Sequence, residues 1–137
     1  MNVLNHLIRA VIGFLCSIFS CLVFAGDPGG IYGDWTIQQI NDRLVPDNID
    51  SSLTFSEDDR MGAKAGCNML IAGFSLNNNK IDIGQAAATR KICPEDVMVY
   101  ESLLFKALES ADGISLKDQT LTLVDEEGNS ILQAIRQ

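Results

Sequence analysis

MLIAGFSLNNNKIDIG, residues 69–84, decides the fold. Met69 to Leu76 is long enough for a strand and carries Gly73, which suggests a bulge or a close backbone approach. Asn77-Asn78-Asn79 follows as a turn, because asparagine readily takes the left-handed conformation. Ile81 and Ile83 then alternate with Lys80 and Asp82, so Lys80 to Gly84 reads as the returning arm of a hairpin.

The same two-residue period extends outward from this hairpin. Asp34 to Ile40 places Trp35 and Ile37 inward, with Thr36 and Gln38 outward. Asn41-Asp42 ends that strand, and Pro46-Asp47-Asn48 opens a polar loop. Leu53 and Phe55 alternate with Thr54 and Ser56, and Glu57-Asp58-Asp59 is a turn. Downstream, Gln85 to Thr89 is predicted as a further strand or an extended connection. One helix stands out. Pro94 suits its first position, and Glu95 and Asp96 place negative charge at the positive end of the dipole. Val97, Tyr100 or Glu101, Leu104 and Leu108 recur at helical spacing, widened by Leu103 and Ala107. The helix should end near Ser110, with Gly113 close behind. Ile114 with Leu116, Leu121 with Leu123, and Ile131 to Ile135 are three more strands, separated by turns at 117–119 and 126–129. Many short strands with short connections and one long helix predict a mainly β, α+β domain. Its expected form is a small antiparallel barrel or strongly curved sheet closed on one side by the helix.

Residues 1–25 read as an export signal. Met1 to Arg9 is mildly cationic, Ala10 to Ala25 carries no charge, and Val23-Phe24-Ala25 before Gly26 suits signal peptidase. The apolar run is short for a membrane span, which needs about 20 residues. A minority alternative makes Ile18-Phe19-Ser20-Cys21 a lipobox anchored through Cys21, although Phe19 and the apolar residues after Cys21 fit it poorly. The expected organisation is a signal peptide at 1–25, a flexible entry at 26–31 and one domain at 32–137, periplasmic or secreted, monomeric and without a membrane span after cleavage.

The full chain has a net charge of −8. Removing Arg9 with the leader leaves 9 of the 10 Lys and Arg against 18 Asp and Glu. Nucleic acid is therefore excluded as an expected partner, since phosphate binding needs clustered cations, and an anionic membrane surface is disfavoured. His6 is the sole histidine and leaves with the leader, which excludes Ser-His-Asp and Cys-His catalysis and histidine-based zinc sites. Asp58-Asp59 and Glu126-Glu127 could in principle act as paired carboxylates, but acids in turns are ordinarily solvated. Asp118, Asp125 and the asparagines from Asn77 could bind a hard cation, yet none matches a calcium-loop pattern. No catalytic residue, metal site or cofactor is expected.

Cys67 and Cys93 are the two cysteines left after the leader. In an exported chain an even pair reads first as a disulfide, worth about 3–4 kcal/mol on the chain-entropy account. The other reading is two reduced cysteines acting as small buried hydrophobes.

Trp35, Leu53-Thr54-Phe55, Gly66-Cys67-Asn68, Thr89-Arg90-Lys91-Ile92-Cys93 and Leu121-Thr122-Leu123 with Gly128 occur in one order over Tyr32 to Arg136. This set resembles the META domain, the family that includes the bacterial heat-shock protein HslJ. Family members often carry Arg-Phe after G-C-N, where this chain has Met69-Leu70, so a role for that arginine does not transfer. The resemblance implies a small antiparallel β fold with one helix, in an envelope protein linked to stress tolerance, and implies no catalytic mechanism. The expected function is non-enzymatic binding or stabilisation of another envelope component. The alternatives are a dedicated partner-binding module, such as an inhibitor of a secreted hydrolase, and a carboxylate-only hydrolase. Asn68 is expected to satisfy backbone groups at a sharp turn beside the disulfide, with Thr89 as a motif residue. Arg90 is expected to brace the helix entrance through an ion pair or backbone hydrogen bonds, the alternative being contact with an external anion. Trp35 and Phe55 are expected in the core.

The mass of the exported protein should correspond to a chain beginning at Gly26. A mature terminus at a diacylated Cys21 would establish the lipoprotein form instead.

Overall fold

The computed structural model describes residues 28–137; the leader, Cys21 and the Ala25–Gly26 junction lie outside the described residues. Pro28–Ile31 forms a short 3-10 turn and leads into β1 (Gly33–Ile40) and β2 (Arg43–Leu44). The hairpin β3 (Ser51–Ser56) and β4 (Arg60–Ala65) comes next, then β5 (Met69–Asn77), β6 (Lys80–Ile83) and β7 (Ala87–Ala88). The helix α1 (Glu95–Ser110) is followed by β8 (Gly113–Lys117), β9 (Thr120–Val124) and β10 (Ser130–Arg136). Asn41, Asp59, Asn78 and Asp118 all have positive φ, near 50–60°. Each sits in the tight turn of a hairpin, where a short polar side chain makes the left-handed backbone tolerable.

All pairings are antiparallel. The path β10-β9-β8-β6-β5-β4-β3-β1 closes because β1 also pairs β10, which makes an eight-stranded barrel. β2 extends from β1 and β7 from β5. The seam between β6 and β8 is thin, with the single pair Lys80↔Gly113. The expected irregularity at Gly73 lies in the strand opposite. Phe74 pairs Ile83 and Ile71 pairs Ala87, so residues 84–86 face only Ala72 and Gly73. The Gly84 N–H donates to the Gly73 carbonyl at 2.9 Å, and the extra residue forms a bulge where β6 passes into β7.

Alternation fills the interior. Trp35, Ile37, Leu53, Phe55, Leu121 and Leu123 are fully buried, and Phe55 meets Phe74 edge to face with ring centroids 5.0 Å apart. β4 presents Met61, Ala63 and Ala65 inward. The small side chains of the two alanines leave room for α1, which packs on β4, β1 and β10 through Leu104, Ala107 and Leu108. Pro94 is one residue earlier than predicted, an extended N-cap (φ −54°, ψ 145°) rather than the first helical residue.

The barrel is locked where its ends meet. The Trp35 indole N–H donates to the Ile31 carbonyl at 2.8 Å, and the Arg136 guanidinium lies 4.2 Å above the indole ring. Arg136 also donates to the carbonyls of Tyr32, at 3.2 Å, and Gly30. Gly33 (φ +119°) allows this approach, since a Cβ there would stand 3.3 Å from Arg136 Nη1. The flexible entry expected over 26–31 is thus corrected at its inner end: Ile31 is buried in the core and the carbonyls of 30–32 are clasped.

Arg136→Ala should lower unfolding stability by about 1–3 kcal/mol, through the lost stacking and the carbonyls left unpaired. Arg136→Lys should recover only part of this, because an ammonium cannot stack and fork to two carbonyls together. Urea titrations read both effects.

Candidate functional site

The turn between β4 and β5 is Gly66-Cys67-Asn68. Gly66 has φ +112°, its N–H donates to the Asp50 carbonyl at 2.7 Å, and any Cβ would collide with the Val97 side chain of α1. Glycine is required here twice, for its backbone angle and for helix approach.

Asn68 is the one buried polar side chain among the described residues, 3% exposed. Its Oδ1 accepts from the Lys91 N–H at 2.7 Å and the Thr89 hydroxyl at 2.9 Å. Its Nδ2 donates to Glu101 Oε1 at 2.9 Å and to the Lys91 carbonyl at 3.2 Å. Its backbone N–H adds a bond to Glu101 Oε2 at 3.2 Å. The Thr89 hydroxyl in turn accepts from the Met69 N–H at 3.0 Å, and the Thr89 N–H donates to the Met69 carbonyl at 3.1 Å. One amide therefore joins the sheet, the 89–93 connection and the helix, with its hydrogen-bonding capacity filled.

Cys67 and Cys93 are bonded, with Cα atoms 6.3 Å apart, beside this amide. The structure thus brings Cys67, Cys93, Asn68 and Thr89 together. It does not bring Arg90 with them. The guanidinium is exposed and has no hydrogen-bond or ion-pair partner among the described residues, so the brace expected there is made by Asn68. Sequence reasoning missed Glu101 as the helix-side partner. The available signal was its phase with Val97, Leu104 and Leu108, an acid on the stripe that faces the sheet.

The paired acids do not converge. Asp58, Asp59, Glu126 and Glu127 are exposed in turns. Asp125 accepts from the Glu127 and Asn129 N–H groups at 3.0 and 2.8 Å and from the Asn129 side chain at 3.0 Å. Chiefly the Asn129 side-chain amide holds its carboxyl below the ordinary value. This contribution is present at neutral pH and lost as pH falls toward the depressed pKa. Among the described residues no three His, Cys, Asp or Glu side chains are grouped as metal ligands.

The profile of the META domain matches residues 31–137. No curated protein matches the chain. An NMR structure of a protein from Burkholderia xenovorans superposes with TM-score 0.64 at 22% identity, over 80% of this chain and 85% of that one. A second NMR structure gives 0.63 at 18% identity, over 80% and 93%. The crystal structure of a DUF4847 family protein from Bacteroides vulgatus gives 0.58 at 13%, over 78% and 94%. These likenesses share the fold.

Native protein should contain no free thiol under denaturing, non-reducing conditions, and Cys93→Ser should lower stability by roughly 2–5 kcal/mol. Asn68→Asp should destabilise strongly at neutral pH by setting a second carboxylate against Glu101, and should recover in mild acid as the pair takes a proton. Arg90→Ala should stay within about 0.5 kcal/mol of the parent. Thermal melts across pH compare all three.

Proposed function

The chain belongs to the META domain family, and from that premise we propose that it is an exported, non-enzymatic protein of the periplasm or cell envelope, linked to stress tolerance, that acts by binding another envelope component. The observation that carries this reading is the tip of the 89–93 connection. The Ile92 side chain is fully exposed, and the neighbouring Arg90 and Lys91 are exposed as well, in a chain of net charge −8. A single exposed apolar residue is ordinary. This one sits on a segment tied at Lys91 to Asn68 and at Cys93 to Cys67. A loop held on both sides loses little conformational entropy on binding.

The histidine-free sequence after His6 and the solvent exposure of the turn acids Asp58, Asp59, Glu126 and Glu127 support binding over catalysis. No helix among the described residues is long and apolar enough to cross a membrane. The projecting, disulfide-tied tip also suits the narrower reading of an inhibitor that inserts a loop into the cleft of a secreted hydrolase.

Immobilised protein should retain a defined partner from envelope extract, identified by mass spectrometry, and the double variant Arg90→Glu, Ile92→Asp should lose it while melting like the parent. Equal retention by the variant would remove the tip from the binding account. A recovered hydrolase whose activity falls on adding the protein would select the inhibitor reading.

A further inference from the structure

A second surface, separate from the 89–93 tip and independent of it, lies along the open edge of β6 and β7. The Ile81 N–H bonds to the Asp112 carbonyl at 3.0 Å and the Gly84 N–H to the Gly73 carbonyl at 2.9 Å. Alternation therefore turns the Ile83 N–H and C=O away from β5, to the side where β8 has not yet begun and the C-terminal part of α1 stands across a hollow. Past the bulge, the Thr89 N–H points to Met69, so the Ala88 N–H and C=O also face outward. No strand pairs this side of residues 83–88 among the described residues. The segment Gly84-Gln85-Ala86-Ala87-Ala88 carries no charge and no proline, two of the devices that ordinarily protect an edge, and a hollow separates it from α1.

Two hollows follow one another along this edge and share Glu109 on their far wall. The first, of about 360 Å³, lies between Ile83 and Ala86 on one side and Phe105 and Leu108 on the other, with Leu70 as floor. The second, of about 710 Å³, runs past Asp82, Asp112, Asp125, Glu126 and Glu127. Its one cation, Lys80, is already paired with Asp112 at 3.0 Å.

We propose that this edge receives an extended cationic peptide segment as an added β-strand. Its backbone would bond to Ile83 and Ala88, one apolar side chain would enter the hollow at Phe105, and its Lys or Arg residues would face the acidic wall. Exposed backbone groups supply affinity for any extended chain, and the charge of the groove selects the basic one.

The probe is a labelled Lys-Val-Lys-Val-Lys-Val peptide, titrated by fluorescence anisotropy against the purified protein, with Glu-Val-Glu-Val-Glu-Val as control. The basic peptide should bind, weaken with salt, and shift the amide signals of residues 81–88; the acidic one should not bind. Ala88→Pro removes an outward N–H without touching the β5 ladder, and should weaken binding at least tenfold with an unchanged melt. Phe105→Asp should do the same through the apolar hollow, whereas Arg90→Glu, Ile92→Asp should leave peptide binding unaltered. Absence of binding overturns the proposal. So does salt-sensitive binding that survives both Ala88→Pro and Phe105→Asp, which would mark simple attraction to an acidic surface.

Discussion

The pairing of β1 with β10 is the constraint on which the rest depends. Without it the eight strands are an open, curved sheet whose interior side chains face water. With it, Trp35, Ile37, Ala134 and Leu132 become the wall of a closed core. Closure joins residues about a hundred positions apart, so its entropy cost falls late and must be met by contacts at the junction itself. The stacking of Arg136 on Trp35, with both side chains also bonded to the backbone of residues 30–32, concentrates such contacts at that point.

The helix is attached by a different principle. Its apolar stripe supplies area, but area alone leaves rotation and sliding loosely specified. Asn68 removes that freedom by demanding one particular carboxylate, one backbone segment and one hydroxyl at once. A neutral amide suits the task better than a charge, because burying it costs less and its two ends accept and donate in fixed directions. The disulfide and the Gly66–Val97 contact act beside it on the same joint. Three restraints of different chemistry thus hold the first turns of α1.

Much of this was legible in the sequence, and what was not has physical reasons. Hairpins built on alternating Ile, Leu and Phe, such as 69–84, are readable because period two and Asn or Asp turns are local signals. β4 left no strand signal, since Gly62, Ala63 and Ala65 are poor strand formers, and the two alanines lie on the buried face of β4, on which α1 packs. β2 and β7, two residues each, have no period to detect. The bulge was sensed at Gly73 but lies across the ladder, which only pairing reveals. Glu101, expected only as one candidate for the helical stripe, is the partner of Asn68, while Arg90, expected as the brace, has no partner among the described residues, because hydrogen-bond partners depend on three-dimensional phase. The basic residue inside the motif drew attention, while the acid that does the joining sits on a helical stripe eight residues beyond Cys93.

Because Trp35 pairs with Arg136 and the Gln137 N–H reaches the Asp34 carbonyl at 3.2 Å, the chain is a ring with one cut. Where that cut falls is a matter of synthesis rather than of architecture. A chain opened instead at the exposed 126–129 turn, its old ends joined by a short linker, would keep every rung of the ladder. For the chain as it stands, whatever is attached before residue 28 and whatever is attached after Gln137 leave the barrel from the same place. An anchor at one end would therefore hold the other end against the same surface and turn the opposite pole of the barrel outward.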